Sequence, residues 1–128
     1  MARCTVLLSP EMAEQMAKLK VAREKSKAKR GLYDALHRCA VVYLPEHAGH
    51  QLHQLGPPYT GVVYRVKQAR LRMFYAHSRA DNRAVLLFVG NRKDGDKDDA
   101  YEVLGRRIRR GDFDAQFEEL GLARPKVK

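Results

Sequence analysis

The sequence predicts a small α+β fold, in which an N-terminal strand and two helices pack on a mainly antiparallel, twisted sheet of about four strands, followed by a C-terminal helix. Two runs in the middle of the chain, 62–67 and 70–75, have the two-residue period of half-buried strands. The run 84–89 is apolar throughout, which indicates a central strand buried on both faces. Apolar residues at helical spacing lie before and after these strands.

The length and composition fit one domain with a modest core, since the chain has 128 residues and 45% of them are hydrophobic. We assign residues 1–122 to this domain and 123–128 to a basic, flexible tail. No apolar run approaches the roughly 20 residues that a membrane span needs, and the chain does not begin like a signal peptide. The expected location is the cytoplasm, where Cys4 and Cys39 would be reduced, buried thiols.

The N-terminal elements follow from cap and apolar signals. Residues 4–8 form a short apolar strand, and the pair 9–10 is a serine cap followed by a proline at the first helical position. The buried stripe of this helix comprises Met12, Met16 and Leu19. Gly31 is expected to break the helix. A second helix then runs to about Tyr43, and Pro45 is expected to end it.

The remaining elements are separated by clear breaks. Residues 50–55 are interpreted as a short edge strand, and the Gly-Pro-Pro run 56–58 ends it. Residues 94–99 form an exposed polar loop. Residues 100–110 form a helix that Gly111 stops. One or two further helical turns follow, with apolar residues Phe113, Phe117 and Leu120.

Cations collect on one face of the predicted hairpin. Only residues 68–69 separate Lys67 from Arg70, and a tight hairpin there would place these two opposite each other. The same pairing would place Arg65 opposite Arg72. Like charges directly opposite each other destabilise a sheet, so a chain that carries four of them is expected to neutralise them with a polyanion. A longer loop would keep the cations close but change the pairing.

The whole chain is strongly basic, with a net charge of +10. Such a field attracts nucleic acid, an acidic protein or an acidic membrane surface. Seven of the cations lie between residues 18 and 30, against the single acid Glu24. This run fits either a solvated helix face or a groove for a phosphate backbone.

Several candidate motifs fail. His47, His50 and His53 recur every three residues, but the prolines and glycines around them argue against a helix that would bring them together on a metal. The acidic run 94–99 imitates a calcium loop but lacks its glycine and its final glutamate. The sequence contains no glycine-rich phosphate loop and no Ser-His-Asp or Cys-His signature. We therefore expect no metal and no small-molecule cofactor.

Four short segments, in order, resemble the RelE/ParE superfamily of bacterial toxins, closest to the RelE ribonuclease branch. They read YRVK at 64–67, LRMFY at 71–75, VGNR at 89–92 and then the distal Tyr101. The resemblance covers most of the chain and implies a RelE-like fold. It also implies an endoribonuclease that enters the ribosomal A site and cuts mRNA. The implied partners are the ribosome, the message and a cognate antitoxin that covers the basic surface.

The resemblance carries roles to individual positions. The catalytic candidates are Lys67, Arg72, Arg92 and Tyr101. The RNA-binding candidates are Arg65, Arg70, Lys93, Lys25, Lys29 and Arg30. RNA is cut when its 2′-hydroxyl attacks the adjacent phosphate, and clustered cations stabilise the charge that develops. We expect Arg72 and Arg92 to clamp phosphate, and Lys67 or Tyr101 to act as the base. His77 is an alternative proton carrier, although an exposed strand histidine is the simpler interpretation.

The chain departs from the family pattern at Arg65, where the best-known members have lysine, since arginine binds phosphate well but cannot carry a proton. The predicted hairpin is also shorter, and the loop before Tyr101 is longer. Two other functions stay open from the sequence. One is a ParE-like gyrase inhibitor, which would share the fold without a nuclease site. The other is a module that binds RNA without cleaving it.

Overall fold

The computed structural model describes residues 3–128 and confirms the predicted α+β fold. The strands are β1 (Thr5–Leu8), β2 (Val63–Gln68), β3 (Leu71–Ser78) and β4 (Arg83–Asn91). The α-helices are α1 (Pro10–Ala22), α2 (Lys27–Arg38), α3 (Leu44–His47), α4 (Ala100–Arg110) and α5 (Asp114–Glu119). A π-helical turn, Cys39–Tyr43, joins α2 to α3, and a 3₁₀ turn, Gln51–His53, follows α3.

The four strands form one mixed sheet in the order β1-β4-β3-β2. The strand β1 pairs in parallel with β4, with Thr5 opposite Arg83, and the other pairs are antiparallel. The run 84–89 within β4 is apolar throughout because a hydrophobic core covers each face of this central strand.

Two hydrophobic cores lie on opposite faces of this sheet, because successive strand side chains point to opposite sides. The first core lies beneath the N-terminal helices and includes Met12, Met16, Leu19, Leu36, Tyr64, Met73, Tyr75 and Leu86. The second core lies beneath α4 and α5 and includes Val63, Phe74, Val85, Leu87, Phe88, Leu104, Ile108, Phe113 and Phe117. Within residues 3–128, no helix has the length and apolar character to cross a membrane.

The start of α1 confirms the predicted cap. The Ser9 hydroxyl oxygen accepts a hydrogen bond from the Met12 N–H at 3.2 Å and donates one to the Leu87 carbonyl at 3.0 Å. Pro10 occupies the first turn, where its missing N–H is not needed. One residue therefore both begins the helix and ties it to the central strand.

The prediction that Gly31 breaks the first helix is wrong. The helix α1 ends at Ala22, and Gly31 lies inside α2. The break occurs earlier, because Ser26 caps α2 by accepting a hydrogen bond from the Lys29 N–H at 3.3 Å. A glycine inside a helix costs only about 1 kcal/mol relative to alanine, and burial of Leu36 on the same helix offsets that cost.

Two further boundaries differ from the prediction. Pro45 does not end the helical segment, because it lies in the first turn of α3, where a proline is tolerated. The segment 50–55 is not an edge strand. It contains the 3₁₀ turn and a single bridge between Gln54 and Tyr64, so it covers only the first part of the β2 edge.

The hairpin between β2 and β3 has a different register from the predicted one. Lys67 lies opposite Arg72, and Arg65 lies opposite Phe74. The turn consists of Ala69 and Arg70, and Ala69 adopts a left-handed φ of 53°. Arg70 therefore lies in the turn and not opposite Lys67, so one like-charge pair remains where two were predicted.

The segment 123–128 lies against α4. Arg124 forms an ion pair with Asp114 at 2.5 Å, and Arg109 donates a hydrogen bond to the Lys128 carbonyl at 2.6 Å. Both cysteines are free and buried, as expected, and burial raises the pKa of the Cys39 thiol to about 12. A thiol in that state is inert at neutral pH.

Candidate nucleic-acid interface

Three of the predicted site cations share one face of the hairpin. Arg65 and Lys67 alternate along β2, and the register places Arg72 of β3 directly opposite Lys67. This is the face that carries Phe74 and the second core, so the cations continue that core toward the turn end of the hairpin. Among residues 3–128, no carboxylate forms an ion pair with any of these three side chains.

The start of α4 brings Tyr101 to the same face. Gly90 permits this approach, since a Cβ atom at that position would lie 3.0 Å from the Ala100 Cβ. The Tyr101 ring meets the Phe74 ring edge to face, with 5.5 Å between the ring centres. Its hydroxyl oxygen accepts a hydrogen bond of 2.8 Å from Nε of Arg65.

Arg92 lies on the other side of the same tyrosine. Its guanidinium carbon is 5.0 Å from the centre of the Tyr101 ring, within the range of a cation–π contact. The guanidinium also forms ion pairs with Asp99, at 2.6 Å, and with Asp94. The Arg92 N–H donates to the Arg70 carbonyl at 2.7 Å, and Nη1 of Arg70 donates to the Arg92 carbonyl at 3.2 Å. Arg70 and Arg92 are therefore held side by side.

Asp99 is a site residue that the sequence analysis did not identify. Its carboxylate accepts hydrogen bonds from the backbone N–H groups of Lys93, at 2.5 Å, and Tyr101, at 3.1 Å, in addition to the Arg92 ion pair. Burial alone would raise the pKa of this carboxyl, but the bonds from Arg92, Lys93 and Tyr101 outweigh that effect and hold the pKa below its usual value. The carboxylate thus stays ionised at neutral pH.

The guanidinium of Arg72 is only partly satisfied. Its Nη1 atom donates to the carbonyls of Ala69 and Leu71, at 2.9 and 3.0 Å. Its Nε atom is buried and has no acceptor among residues 3–128. Most buried donors in proteins are paired, and an unpaired one costs about 1–3 kcal/mol. A ligand oxygen would reach this Nε atom only if the Arg72 side chain turned outward, since the atom has no exposed surface.

The structure brings some of the predicted residues together and leaves others apart. Those at the turn end of the sheet are Arg65, Lys67, Arg70, Arg72, Arg92, Lys93 and Tyr101, which we call the cationic face. The other three candidates, Lys25, Lys29 and Arg30, lie where α1 meets α2. Those helices cover the opposite side of the sheet, so these three cannot line the same surface.

His77 is neither exposed nor on the cationic face, which corrects the sequence interpretation. It is 5% exposed, and its ring meets the Tyr64 ring in the first core. Burial lowers the pKa of His77, so the buried ring is neutral at physiological pH. A proton carrier for the cationic face must therefore be sought elsewhere.

His53 belongs to a second polar network that the sequence did not reveal. Its Nε2 atom lies 2.8 Å from the Tyr43 hydroxyl, and its Nδ1 atom lies 2.7 Å from the Tyr75 hydroxyl. Burial, together with the neighbouring His50, His47 and Arg65, lowers the pKa of His53 to about 4. In the described chain, residues 3–128, no three histidine, cysteine or acidic side chains are placed to hold a metal ion.

The fold and the cationic face define a small α+β domain that carries a cluster of cations on its antiparallel hairpin. No known protein-family model matches the chain, and no curated protein matches it significantly. The relationship to the RelE/ParE superfamily thus depends on the four segments quoted above and stays a proposal.

Proposed function

We propose that this protein is the toxin of a toxin–antitoxin pair and acts as a metal-independent endoribonuclease that cleaves mRNA in the ribosomal A site. The observation that carries this proposal is the cross-strand pair of Lys67 and Arg72, two cations directly opposite each other with no carboxylate partner among residues 3–128. A phosphate group between these two side chains would accept hydrogen bonds from both and reduce the repulsion between them. In the proposed cut, the 2′-hydroxyl loses its proton to a base and attacks the adjacent phosphate, and the P–O5′ bond breaks as the leaving 5′-oxygen takes up a proton. The products are a 2′,3′-cyclic phosphate end and a 5′-hydroxyl end.

The geometry supports a division of roles around that phosphate. Arg72 and Arg92 are suited to clamp phosphate oxygens, because guanidinium groups bind them in a bidentate manner. The Tyr101 hydroxyl accepts from Arg65, so its own proton is available to an acceptor on the RNA. This arrangement favours Tyr101 as the proton carrier and gives Arg65 the task of orienting it. Lys67 is the alternative carrier.

The implied partner is an acidic antitoxin that covers the cationic face. A net charge of +10 attracts such a protein as well as RNA. An antitoxin carboxylate and an RNA phosphate would compete for the same donors, which explains how one partner could block the other. We place the protein in the cytoplasm, where its message and ribosomes are.

One observation favours a second function, binding of RNA without cleavage. Arg92 is already held by two carboxylates, Asp94 and Asp99, so it is less available than a free arginine to stabilise a developing charge. Gyrase inhibition of the ParE type is a third candidate, because such inhibitors share the expected fold, and a gyrase supercoiling assay tests it.

The decisive experiment maps 5′ ends by primer extension on a defined message, incubated with the purified protein with and without translating ribosomes. Cuts at a fixed codon position, seen only with ribosomes, would support the full proposal, and cuts on free RNA would support a ribosome-independent nuclease. RNA binding without cuts would support the binding function. Neither binding nor cuts, together with inhibition of gyrase supercoiling, would support the gyrase inhibitor.

The same assay tests the site. Arg72→Ala and Arg92→Ala are expected to abolish cleavage and cellular toxicity. The matched control is Arg106→Ala, since Arg106 is an exposed arginine of α4 whose nearest carboxylate, Asp98, is 3.9 Å away. Full cleavage by both site variants would show that the cationic face is not the active site.

A further inference from the structure

We infer that Asp99 is a positioning residue of the cationic face, which fixes Arg92 over the ring of Tyr101. This inference rests on the proposed ribonuclease function and deepens it. The sequence suggests no such role, because Asp99 there is one of several acids in an exposed loop. The structure separates it from those neighbours by its burial and by its contacts.

The contacts of Asp99 join the end of β4 to the start of α4. On one side of the loop, its carboxylate forms an ion pair with Nη1 of Arg92 at 2.6 Å and accepts a hydrogen bond from the N–H of Lys93 at 2.5 Å. On the other side it receives the N–H of Tyr101 at 3.1 Å. Arg92 and Tyr101 are nine positions apart in the sequence. The Asp99 side chain thus fixes the distance between them in the fold.

The two carboxylates that pair with Arg92 differ in burial. The Asp99 side chain is 3% exposed, whereas that of Asp94, the other carboxylate on Arg92, is 84% exposed. A buried carboxylate that loses its partner is strongly destabilised, so Asp99 keeps hold of Arg92. Asp94 is screened by water and salt, and an incoming phosphate can displace it. Arg92 therefore has one fixed and one exchangeable anionic partner.

The fixed partner determines where the guanidinium points. A guanidinium is planar, so a bond at Nη1 together with the ring contact at 5.0 Å restricts its orientation over Tyr101. Catalysis depends on such fixed geometry, and displacement by about 1 Å can cost roughly 100-fold in rate. Binding of RNA depends mainly on the charge itself. Loss of Asp99 should thus affect cleavage and binding in different ways.

A purely structural role has to be separated from this one, because Asp99 also caps α4. The variant Asp99→Asn keeps the helix cap, since its amide oxygen can accept from the Tyr101 N–H, but it carries no charge for Arg92 and its amide nitrogen cannot accept from the Lys93 N–H. The matched control is Asp112→Asn. Asp112 is a carboxylate at the other end of α4 that two arginines, Arg107 and Arg110, also hold.

The experiment compares two readouts on the same synthetic message. The first is the single-turnover cleavage rate at saturating protein, under the ribosome condition in which the wild type cleaves. The second is the Kd for the message with a 2′-deoxy nucleotide at the mapped cleavage position. We expect Asp99→Asn to cleave at least tenfold more slowly while its Kd is unchanged or up to threefold tighter. Asp112→Asn should change neither readout.

A double variant tests whether Asp99 acts through Arg92. In the Arg92→Lys background, which is expected to keep a measurable rate, Asp99→Asn should cause a much smaller loss of rate than in the wild type, because residues that act as one unit are not additive. If Asp99→Asn fails to fold, Arg92→Lys is the second variant. It keeps the charge but not the planar fork, so we expect retained binding and slower cleavage.

The outcomes distinguish this inference from the proposed function. Wild-type protein that cleaves no RNA overturns both. Wild-type cleavage, together with an Asp99→Asn or Arg92→Lys variant that cleaves at the wild-type rate, overturns only the positioning role. An equal loss of rate and of binding in Asp99→Asn, or a full additional loss of rate in the Arg92→Lys background, also overturns it, since either result describes a structural residue.

Discussion

Nε of Arg65 donates a hydrogen bond of 2.8 Å to the hydroxyl oxygen of Tyr101, which joins the edge strand β2 to the helix α4. Nη1 of the same arginine lies 3.4 Å from the carbonyl of Leu52, so the guanidinium also reaches the 3₁₀ turn beside that strand. Because an arginine cannot accept a proton from the tyrosine, it orients the hydroxyl and leaves its proton free for another acceptor.

Removal of that hydroxyl should separate chemistry from binding. We expect Tyr101→Phe to lower the cleavage rate at least tenfold, since a general acid or base contributes about 100- to 10,000-fold, and to leave RNA affinity unchanged. Tyr33→Phe is the control, because an arginine, Arg23, also lies over that ring, at 4.8 Å. Single-turnover cleavage and filter binding measure the two effects. Wild-type cleavage by Tyr101→Phe would transfer the proton role to Lys67.

Arg72 should be important for binding but not for stability. We expect Arg72→Met to weaken RNA binding about tenfold or more, since a charge-assisted hydrogen bond contributes roughly 1.5–3 kcal/mol. Its free energy of unfolding should be equal to or above that of the wild type, because the change removes an unpaired buried donor and the repulsion with Lys67. Titration of RNA and urea denaturation test both parts. The control is Arg79→Met, at an exposed arginine beyond β3. Marked destabilisation by Arg72→Met alone would show that the arginine is structural.

The exposed ion pair between Asp94 and Arg92 should compete with RNA. We expect Asp94→Asn to bind RNA about two- to fivefold more tightly, as the typical free energy of an exposed ion pair is roughly 0.2–1 kcal/mol. Asp98→Asn removes the same charge from the same loop but contacts only Arg106, at 3.9 Å, and serves as the control. Binding isotherms at two salt concentrations distinguish the variants. An equal gain in RNA affinity in both variants would show that the effect comes from net charge and not from release of Arg92.

His53 should make stability depend on pH. Its pKa is about 4 in the folded chain and about 6.5 as the ordinary value, so the unfolded state binds more protons between these limits. The free energy of unfolding should therefore be constant above about pH 6.5 and fall by up to about 3 kcal/mol as the pH drops to 4. His53→Gln should reduce this dependence to the part that the buried His77 contributes, whereas the exposed His37→Gln should leave it unchanged. Urea denaturation between pH 4 and 8 provides the measurement, and identical pH curves for wild type and His53→Gln would contradict it.

Local patterns predicted most elements, because their causes lie in a few neighbouring residues. The cap formed by Ser9 and Pro10 predicted α1, and the left-handed Gly111 ended α4 as expected. The prediction of a break at Gly31 was wrong because the free-energy cost of a glycine inside a helix is smaller than the stabilisation that α2 gains from its cap and its buried side chains. The turn at Ala69 was also missed. A left-handed φ at alanine is unfavourable by itself, and the pairing of the two flanking strands imposes it.

Part of the candidate site could be predicted in the same way. Arg65, Lys67 and Arg72 share a face because of strand alternation, which is visible in the sequence. Asp99 could have been found too, since an aspartate with Glu102 three positions later resembles a capping box. Its ion pair with Arg92 could not, because that contact depends on how α4 docks on Gly90.

The parallel pair of β1 and β4 determines when the domain can form during synthesis. Ser9 and its hydrogen-bond partner Leu87 are 78 positions apart, so β1 cannot pair with β4 until the chain up to β4 has been synthesised. Closing so large a loop costs conformational entropy, and the contacts of the completed sheet offset that cost. Arg92 and Tyr101 emerge later still. The complete proposed site therefore cannot assemble until the chain has been synthesised at least as far as Tyr101.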